Sequence, residues 1–434
     1  MAKKVAATTI GCKVNSYDTQ AVLQTFVEDG YEVTNFEDMA DVYIVNTCSV
    51  TNLAEKKSRQ MIRRAKGRKN GAIVAAMGCA SQISPQVFKG IGVDIVIGTS
   101  NKDELLKHVE KHIKSSPVVS YSKDIFSEKD FGIAKVVQHG EKTRATLKIQ
   151  DGCNNFCSFC IIPHARGLSR SRPLEDVISQ AQIFADGGYK EIVVSGIHVA
   201  SYGKDLYDKV DIVDVLAEIC RIPNIERVRL SSVEPNAVTD KFLEFVKENA
   251  KFCHHLHLSL QSGSDDVLRA MKRKYSADEY ALSIERLRKA APDISITTDI
   301  IAGFPGETDK NHIQTLTFLK NLQLASLHVF PYSAKEGTPA AKMKQVDGNI
   351  KKKRAAELVL LGKEMQASHQ AGFLGQTAAV LVEERNAAGL YEGKTSNYLT
   401  VVFDASYDCI NKIVNVELEA QSEGFIFGRE QLIK

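Results

Sequence analysis

The sequence predicts an α/β chain in three parts: an N-terminal parallel α/β domain, a central partial (β/α)6 barrel and a small C-terminal antiparallel β-barrel. Three observations predict it. Apolar runs of four to eight residues alternate with helical stretches over residues 1–100, resume at residue 144 after a polar stretch, and give way after Gly375 to short alternating runs between turns. Strands of a parallel sheet are covered on both faces and read as continuous apolar runs, whereas half-exposed antiparallel strands alternate. A chain of 434 residues has room for two or three domains.

In the first part, "KVAATTI" leads to Cys12 and the helix "SYDTQAVLQTFVEDG". "DVYIVN" leads to Cys48 and a basic helix, and "AIVAAM" leads to Cys79 and a short polar turn. Loops past the carboxyl ends of parallel strands gather on one edge of the sheet, where ligands bind. Cys12, Cys48 and Cys79 should therefore converge, although more than 30 residues separate each from the next. This domain spans residues 1–115, and the weakly periodic residues 116–143 read as a linker.

From residue 144, six strands are expected: "ATLKIQ", "EIVVSG", "ERVRLSS", "HHLHLSL", "ISITTDIIAG" and "ASLHVFPYS". Helices such as "PLEDVISQAQIFADGG" and "TDKNHIQTLTFLKNLQ" lie between them. Six units imply an incomplete barrel, since a full eight-unit barrel typically needs about 250 residues. The long helix "GNIKKKRAAELVLLGKEMQASHQAGF" closes this part at residue 375. Residues 376–434, with "TAAVLVEE" and "NYLTVVF", form the small barrel.

With 44% hydrophobic and 25% charged residues, the composition is that of an ordinary globular protein. No apolar run approaches the roughly 20 residues that span a bilayer, and the start "MAKKVAATTIGCKVN" lacks the pattern of a signal peptide. A cytoplasmic protein with no membrane contact is expected. The net charge of +3 is unevenly spread. "KKSRQMIRRAKGRKN" puts Lys56, Lys57, Arg59, Arg63, Arg64, Lys66, Arg68 and Lys69 on one helix, a candidate phosphate-binding surface. Residues 376–434 carry five Lys and Arg against nine Asp and Glu.

Nine cysteines are too few and too scattered for a disulfide scaffold, and clustered cysteines in a reducing compartment are metal ligands or catalytic groups. "IQDGCNNFCSFCIIPHARG" holds Cys153, Cys157 and Cys160 in the spacing C-x3-C-x2-C, on a loop leaving the first barrel strand. Three thiolates can occupy three corners of a cubane cluster and leave one iron open. A structural zinc site would want a fourth ligand, for which His164 is the nearest candidate. Cys220, Cys253 and Cys409 stand alone in apolar stretches and read as core residues. His257, in a strand with polar faces, is a candidate to point into the barrel.

The segment Cys153-x3-Cys157-x-Phe159-Cys160, with a barrel behind it, resembles the radical S-adenosylmethionine superfamily. The resemblance implies that the open iron binds the amino and carboxylate groups of S-adenosylmethionine. One-electron transfer then cleaves it to methionine and a 5′-deoxyadenosyl radical, with Phe159 against the adenine. "VVSGIHVASYG", "RLSSVEPN", "HLSLQSGSDDVLRAMKR", "TTDIIAGFPGET" and "HVFPYSAKEGTPAAKM" also match the family. They place Ser195, Gly196, Glu234, Gln261 and Ile301 to Gly303 at the barrel mouth, near cofactor or substrate.

Over essentially its whole length the chain resembles one branch of that superfamily, the methylthiotransferases. In that branch the N-terminal cysteines, here Cys12, Cys48 and Cys79, hold a second 4Fe–4S cluster. The tail resembles the TRAM domain, which grips RNA, although its acidity departs from that of a phosphate-binding surface. Lys394, Tyr391, Asn397 and Tyr398 are its candidate local contacts, and the basic helix is the candidate electrostatic surface.

"GCKVNSYDTQ", "LKIQDGCNNFCSFCIIPHARG" and "SGIHVASYG" resemble most the enzymes acting on threonylcarbamoyladenosine at tRNA position 37. The implied reaction is a sulfur transfer using two S-adenosylmethionine molecules per turnover. One methylates a sulfur on the second cluster, and the other gives the radical that removes hydrogen from C2 of the adenosine, which then takes the methylsulfide. The alternatives are methylthiolation of isopentenyladenosine in tRNA or of a ribosomal-protein aspartate. The threonylcarbamoyl group bears a carboxylate, and Arg166, Arg170 and Arg172 just beyond the cluster motif are candidates to bind it. The implied partners are the tRNA anticodon stem-loop carrying that nucleoside, a reduced flavodoxin or ferredoxin-type electron donor, and a sulfur donor, with the enzyme a monomer. A non-catalytic iron–sulfur carrier, the rival of another class, usually closes each cluster with four cysteines.

Overall fold

The computed structural model describes residues 2–112, 119–121 (backbone path), 124–132, 135–137 and 143–431. The N-terminal sheet has six parallel strands in the order Glu32–Thr34, Lys4–Thr9, Val42–Thr47, Ile73–Gly78, Ile95–Ile97 and Val119–Tyr121. Val42–Thr47 is buried throughout, as a central strand covered on both faces must be. The helices Lys13–Glu28 and Asn52–Lys66 form two of the crossovers, and Thr51 caps the latter by accepting from the Ala54 N–H. Arg68 and Lys69 of the basic run lie beyond its end.

The register pairs Thr9 with Asn46 and Thr47 with Gly78. Three adjacent strands thus end level, and a cysteine follows each end. After Gly78 the chain enters the short helix Cys79–Ile83 rather than the expected polar turn.

All six expected central strands form: Arg144–Lys148, Glu191–Ser195, Arg227–Leu230, His255–His257, Ser295–Ala302 and Ser326–Pro331. They make two three-stranded parallel sheets, linked by single parallel bridges Val228–Phe252 and Val233–Leu258. No ladder joins the first strand to the last among the described residues, so the barrel is partial. The helices Leu174–Asp186 and Asp309–Leu322 cover it, and helix Gly348–Ala371 lies along the last strand. Gly362 permits that approach, because a Cβ there would stand 3.1 Å from Leu327 Cβ.

The stretch expected to be a linker takes part in both neighbours. Val119–Tyr121 is the sixth strand of the first sheet. Val136 is fully buried in the barrel core, where the Gln180 amide donates to its carbonyl and accepts from its N–H. Backbone pairing at Val119–Tyr121 and the buried Val136 anchor it.

The tail is a closed five-stranded barrel of Thr377–Arg385, Tyr391–Thr395, Thr400–Asp404, Ile413–Ser422 and Phe425–Glu430. It is not wholly antiparallel: closure pairs Thr400–Asp404 in parallel with Phe425–Glu430. Arg227 and Arg229 of the third barrel strand dock it, donating to the carbonyls of Ala379, Lys394, Thr395 and Ser396. Cys220, Cys253 and Cys409 are buried, in line with the core reading.

Candidate active site

All nine cysteines are free thiols, and six of them fall into two trios. In the first trio, Gly152 turns the chain at φ +71° and Cys153 N–H donates to the Gly167 carbonyl at 3.1 Å. The Cys160 N–H donates to the Cys157 carbonyl, and an Arg273 guanidinium nitrogen lies 3.4 Å from the Cys157 sulfur. Burial pushes the Cys153 thiol up to about 11 and Cys160 to about 12, with the neighbouring cysteines adding to it. Such thiols ionise only beside a strong positive charge, which a bound metal supplies. His164 is exposed and packs edge-on against Phe126 and Phe156, so it reads as part of an aromatic patch.

In the second trio, Cys12 precedes the helix Lys13–Glu28, Cys48 follows a strand and Cys79 opens a helix. The three interact electrostatically with one another. A Cβ on Gly11 would stand 3.0 Å from the Cys48 sulfur, so the loop passes close only because that residue is glycine. Burial pushes the Cys48 thiol up to about 11. It raises Cys79 as well, while the Arg166 guanidinium at 3.3 Å opposes the rise.

Glu234 sits by the first trio and is held ionised. Burial opposes this, but His198 at 3.4 Å, Arg273 at 3.0 Å and the Asn155 amide at 3.0 Å outweigh it. Asn155, His198 and Arg273 escape a reading of the sequence for cysteines and acids, although all three lie within stretches that match the family. Phe159 and Ile301 border one apolar cluster built on Phe304, Tyr332 and Met271. Gly303 (φ +69°) follows, and its N–H donates to Glu307. Gln261 adopts φ +75°, and its backbone bridges to the strand bearing Ile301. Ser195 and Gly196 end the second strand, where the Gln150 side chain accepts from the N–H groups of Ile197 and His198.

A cavity of about 910 Å³, within the size range of small-ligand sites, is lined by all three parts of the chain. Cys12 and Lys13 come from the first, Ser195, Gly196, Ser231, His255 and Asp299 from the barrel, and Lys394, Asn397 and Tyr398 from the tail. His257 does face this space, with His328 and Asp299: its Nε2 lies 3.3 Å from Asp299. Of the expected RNA contacts, Tyr391 is instead in the tail-barrel core, and Tyr398 stacks on His255 with centroids 4.4 Å apart.

The three arginines expected to bind a carboxylate turn inward. Arg166 is bound by Asp151, Asp18 and Asn15. Arg170 donates to the carbonyls of Arg166 and Leu168, and Arg172 to the Tyr17 hydroxyl. A short basic loop has no apolar face of its own to fix which way it points; buried carboxylates fix Arg166, backbone carbonyls Arg170 and the Tyr17 hydroxyl Arg172.

Residues 147–319 match the Radical SAM superfamily, and residues 4–98 match the uncharacterized protein family UPF0004. The chain is 41% identical, over 99% of its length and 96% of the relative's, to the threonylcarbamoyladenosine tRNA methylthiotransferase MtaB of Bacillus subtilis. The chain belongs to the radical S-adenosylmethionine methylthiotransferases. This methylthiotransferase is also 38% identical, over 95% of its length and 99% of the relative's, to MtaB of Aquifex aeolicus. To the tRNA-2-methylthio-N(6)-dimethylallyladenosine synthase of Alkaliphilus oremlandii it is 35% identical, over 96% and 90%. Its fold is that of the radical S-adenosylmethionine methyltransferase TsrM of Kitasatospora setae, with TM-score 0.58 at 14% identity, covering 79% of this chain and 77% of that one. Membership in the radical superfamily implies S-adenosylmethionine and a 4Fe–4S cluster. Among the described residues, no helix is long and apolar enough to cross a membrane.

Proposed function

We propose that this methylthiotransferase converts N6-threonylcarbamoyladenosine beside the tRNA anticodon to its 2-methylthio derivative. The observation that carries the reading is the pair of free-thiol trios together with a cavity that Cys12 itself lines. The relatives named for threonylcarbamoyladenosine, matched end to end, support the choice of nucleoside.

Cys153, Cys157 and Cys160 would hold one cluster, and Cys12, Cys48 and Cys79 a second. When bound, these groups and S-adenosylmethionine supply the one-electron chemistry that activates a C–H bond and the sulfur that replaces the hydrogen. The chain's own residues orient and shield. Glu234, kept ionised by His198, Arg273 and Asn155, offers an acceptor to an ammonium group beside the first trio. Phe159 and Ile301 present an apolar face to a purine. Ser195, Gly196, Gln261 and Gly303 shape the barrel mouth, where the absence of a side chain at Gly196 leaves room: a Cβ would stand 3.0 Å from Gln150 Cβ. Arg166 favours the thiolate form of Cys79.

In this reading residues 1–115 deliver sulfur, residues 144–375 generate the radical, residues 376–434 close the cavity over the anticodon loop, and residues 116–143 join the first two. A reduced flavodoxin or ferredoxin-type protein supplies electrons, a cellular donor replenishes the sulfur, and the enzyme works as a cytoplasmic monomer.

Mass spectrometry of tRNA nucleosides from cells lacking the chain tests the substrate: 2-methylthio-threonylcarbamoyladenosine should vanish, and loss of a methylthio-aspartate from a ribosomal protein instead would overturn the reading. Replacing Cys12, Cys48 and Cys79 with alanine should abolish methylthiolation while 5′-deoxyadenosine still forms from S-adenosylmethionine and dithionite.

A further inference from the structure

Lys13 follows Cys12 directly and lines the cavity, yet no hydrogen bond or ion pair engages its ammonium among the described residues. The other strong cations there are engaged. Arg229 is bound by Glu191 and by two tail-barrel carbonyls, and Lys394 donates to Thr400. Lys13 therefore faces the cavity with no hydrogen-bonded or ion-paired partner; Arg144 and Arg229 add to the positive potential around it, and Tyr398 and Glu191 reduce it.

Two further polar groups in the same cavity lack partners. His255 is 6% exposed; its Nε2 meets the Thr297 hydroxyl at 3.3 Å and its Nδ1 meets nothing. Burial, with Arg229 adding to it, keeps that ring neutral. A neutral imidazole has one N–H and one lone pair, so the unmet Nδ1 offers the cavity a polar atom that needs a partner. The Ser231 hydroxyl, on a residue 9% exposed, is likewise unmet. Buried polar groups left unmet are costly, so the cavity suits a polar ligand, and the Lys13 ammonium, which can only donate, calls for one that carries acceptors.

The geometry points to Lys13, with the Ser231 hydroxyl and the His255 ring edge beside it, as the subsite that reads the carboxylate of the threonylcarbamoyl group. The inference rests on the substrate reading above and assigns the specificity within it. A dimethylallyl group has no acceptor; seating it here would strip water from an ammonium and two polar groups and return nothing. A site built to hydrogen-bond a group rejects the analogue that lacks it far more strongly than an apolar site rejects an added group.

The test measures binding of anticodon stem-loops to the cluster-loaded protein without reductant, by fluorescence anisotropy. The loops carry threonylcarbamoyladenosine, its methyl ester, dimethylallyladenosine or plain adenosine. The wild type should bind the acid at least about tenfold more tightly than the ester, the value of one charge-assisted hydrogen bond or more. Lys13→Gln should bring acid and ester to near equality, and Lys13→Arg should keep most of the gap. Iron content of each variant reports whether the neighbouring trio is still loaded, and the ester comparison on wild-type protein does not depend on any variant. An acid–ester gap unchanged in Lys13→Gln, or absent in the wild type, would overturn the assignment. Wild-type protein that binds the threonylcarbamoyl and plain adenosine loops alike would instead sink the substrate reading, and the subsite with it.

Discussion

The guanidinium of Arg166 donates from Nε to the sulfur of Cys79 across 3.3 Å. The two residues belong to different domains, and the same arginine is bound by Asp151 through one nitrogen and by Asp18 and Asn15 through another. Lys148 joins Asp151 to Asp18 at 2.6 and 2.9 Å, and Lys102 is a third cation on Asp18 at 2.5 Å. One buried charge network therefore links the loop of the first cysteine trio to the second trio.

Removing one partner from such a network leaves uncompensated charge in the interior. Arg166→Ala should cost about 3–5 kcal/mol in urea unfolding, and iron bound by the second trio should fall more than iron bound by the first. Equal loss from both trios would mean that the arginine supports the fold alone.

Acid should weaken the same network. Burial opposes ionisation of Asp151, but Arg166, Lys148 and Lys102 outweigh it and hold the carboxyl well below the usual range. Asp18 is lowered in the same way, with Lys102 the strongest of its cations. A carboxylate depressed by folding contributes stability that is complete above its unfolded pKa, about 4, and is lost as pH falls through the folded value. The urea midpoint should drop progressively below about pH 4, and the drop should be shallower in Asp151→Asn. Parallel pH profiles for the two proteins would contradict this.

Gly152 sets the position of Cys153. Its φ of +71° is costly for any side chain, and a Cβ would run into the Leu168 carbonyl oxygen. Gly152→Ala should destabilise by about 1–3 kcal/mol. It should also lower the yield of 5′-deoxyadenosine per protein, because the first thiol is displaced from its trio. Normal yield with lowered stability would confine the glycine's role to the fold.

The basic run from Lys56 to Lys69 divides into two sets. Arg64 and Arg68 pair with Glu37, Lys69 pairs with Asp41, and Lys66 donates to the carbonyls of Ile91 and Gly92. Lys56, Lys57, Arg59 and Arg63 have no internal partner among the described residues and remain for phosphates. Charge reversal at Lys56 or Arg63 should weaken tRNA binding and flatten its salt dependence by about 0.7–0.9 in the log–log slope for each phosphate no longer neutralised. Reversal at Arg68 should lower stability more than affinity. Filter binding across a salt series distinguishes the two sets.

The sequence by itself determined the three-part architecture, all six barrel strands and both cysteine trios. Those properties are written locally: apolar period fixes strand and helix, and C-x3-C-x2-C places three thiols within eight residues whatever the rest of the chain does. The convergence of Cys12, Cys48 and Cys79 was legible for the same reason, since each follows a strand of one parallel sheet. Tertiary structure alone decided where charged side chains point. Arg166, Arg170 and Arg172 look available in sequence and are consumed by Asp151, Asp18, backbone carbonyls and Tyr17. Lys13 sits unnoticed beside a cysteine and emerges as an unpaired cation in a cavity shared by three domains. Several of the partners that decide this, such as Asp18 for Lys148 and Arg166, lie 100 or more residues away, and no local pattern encodes them.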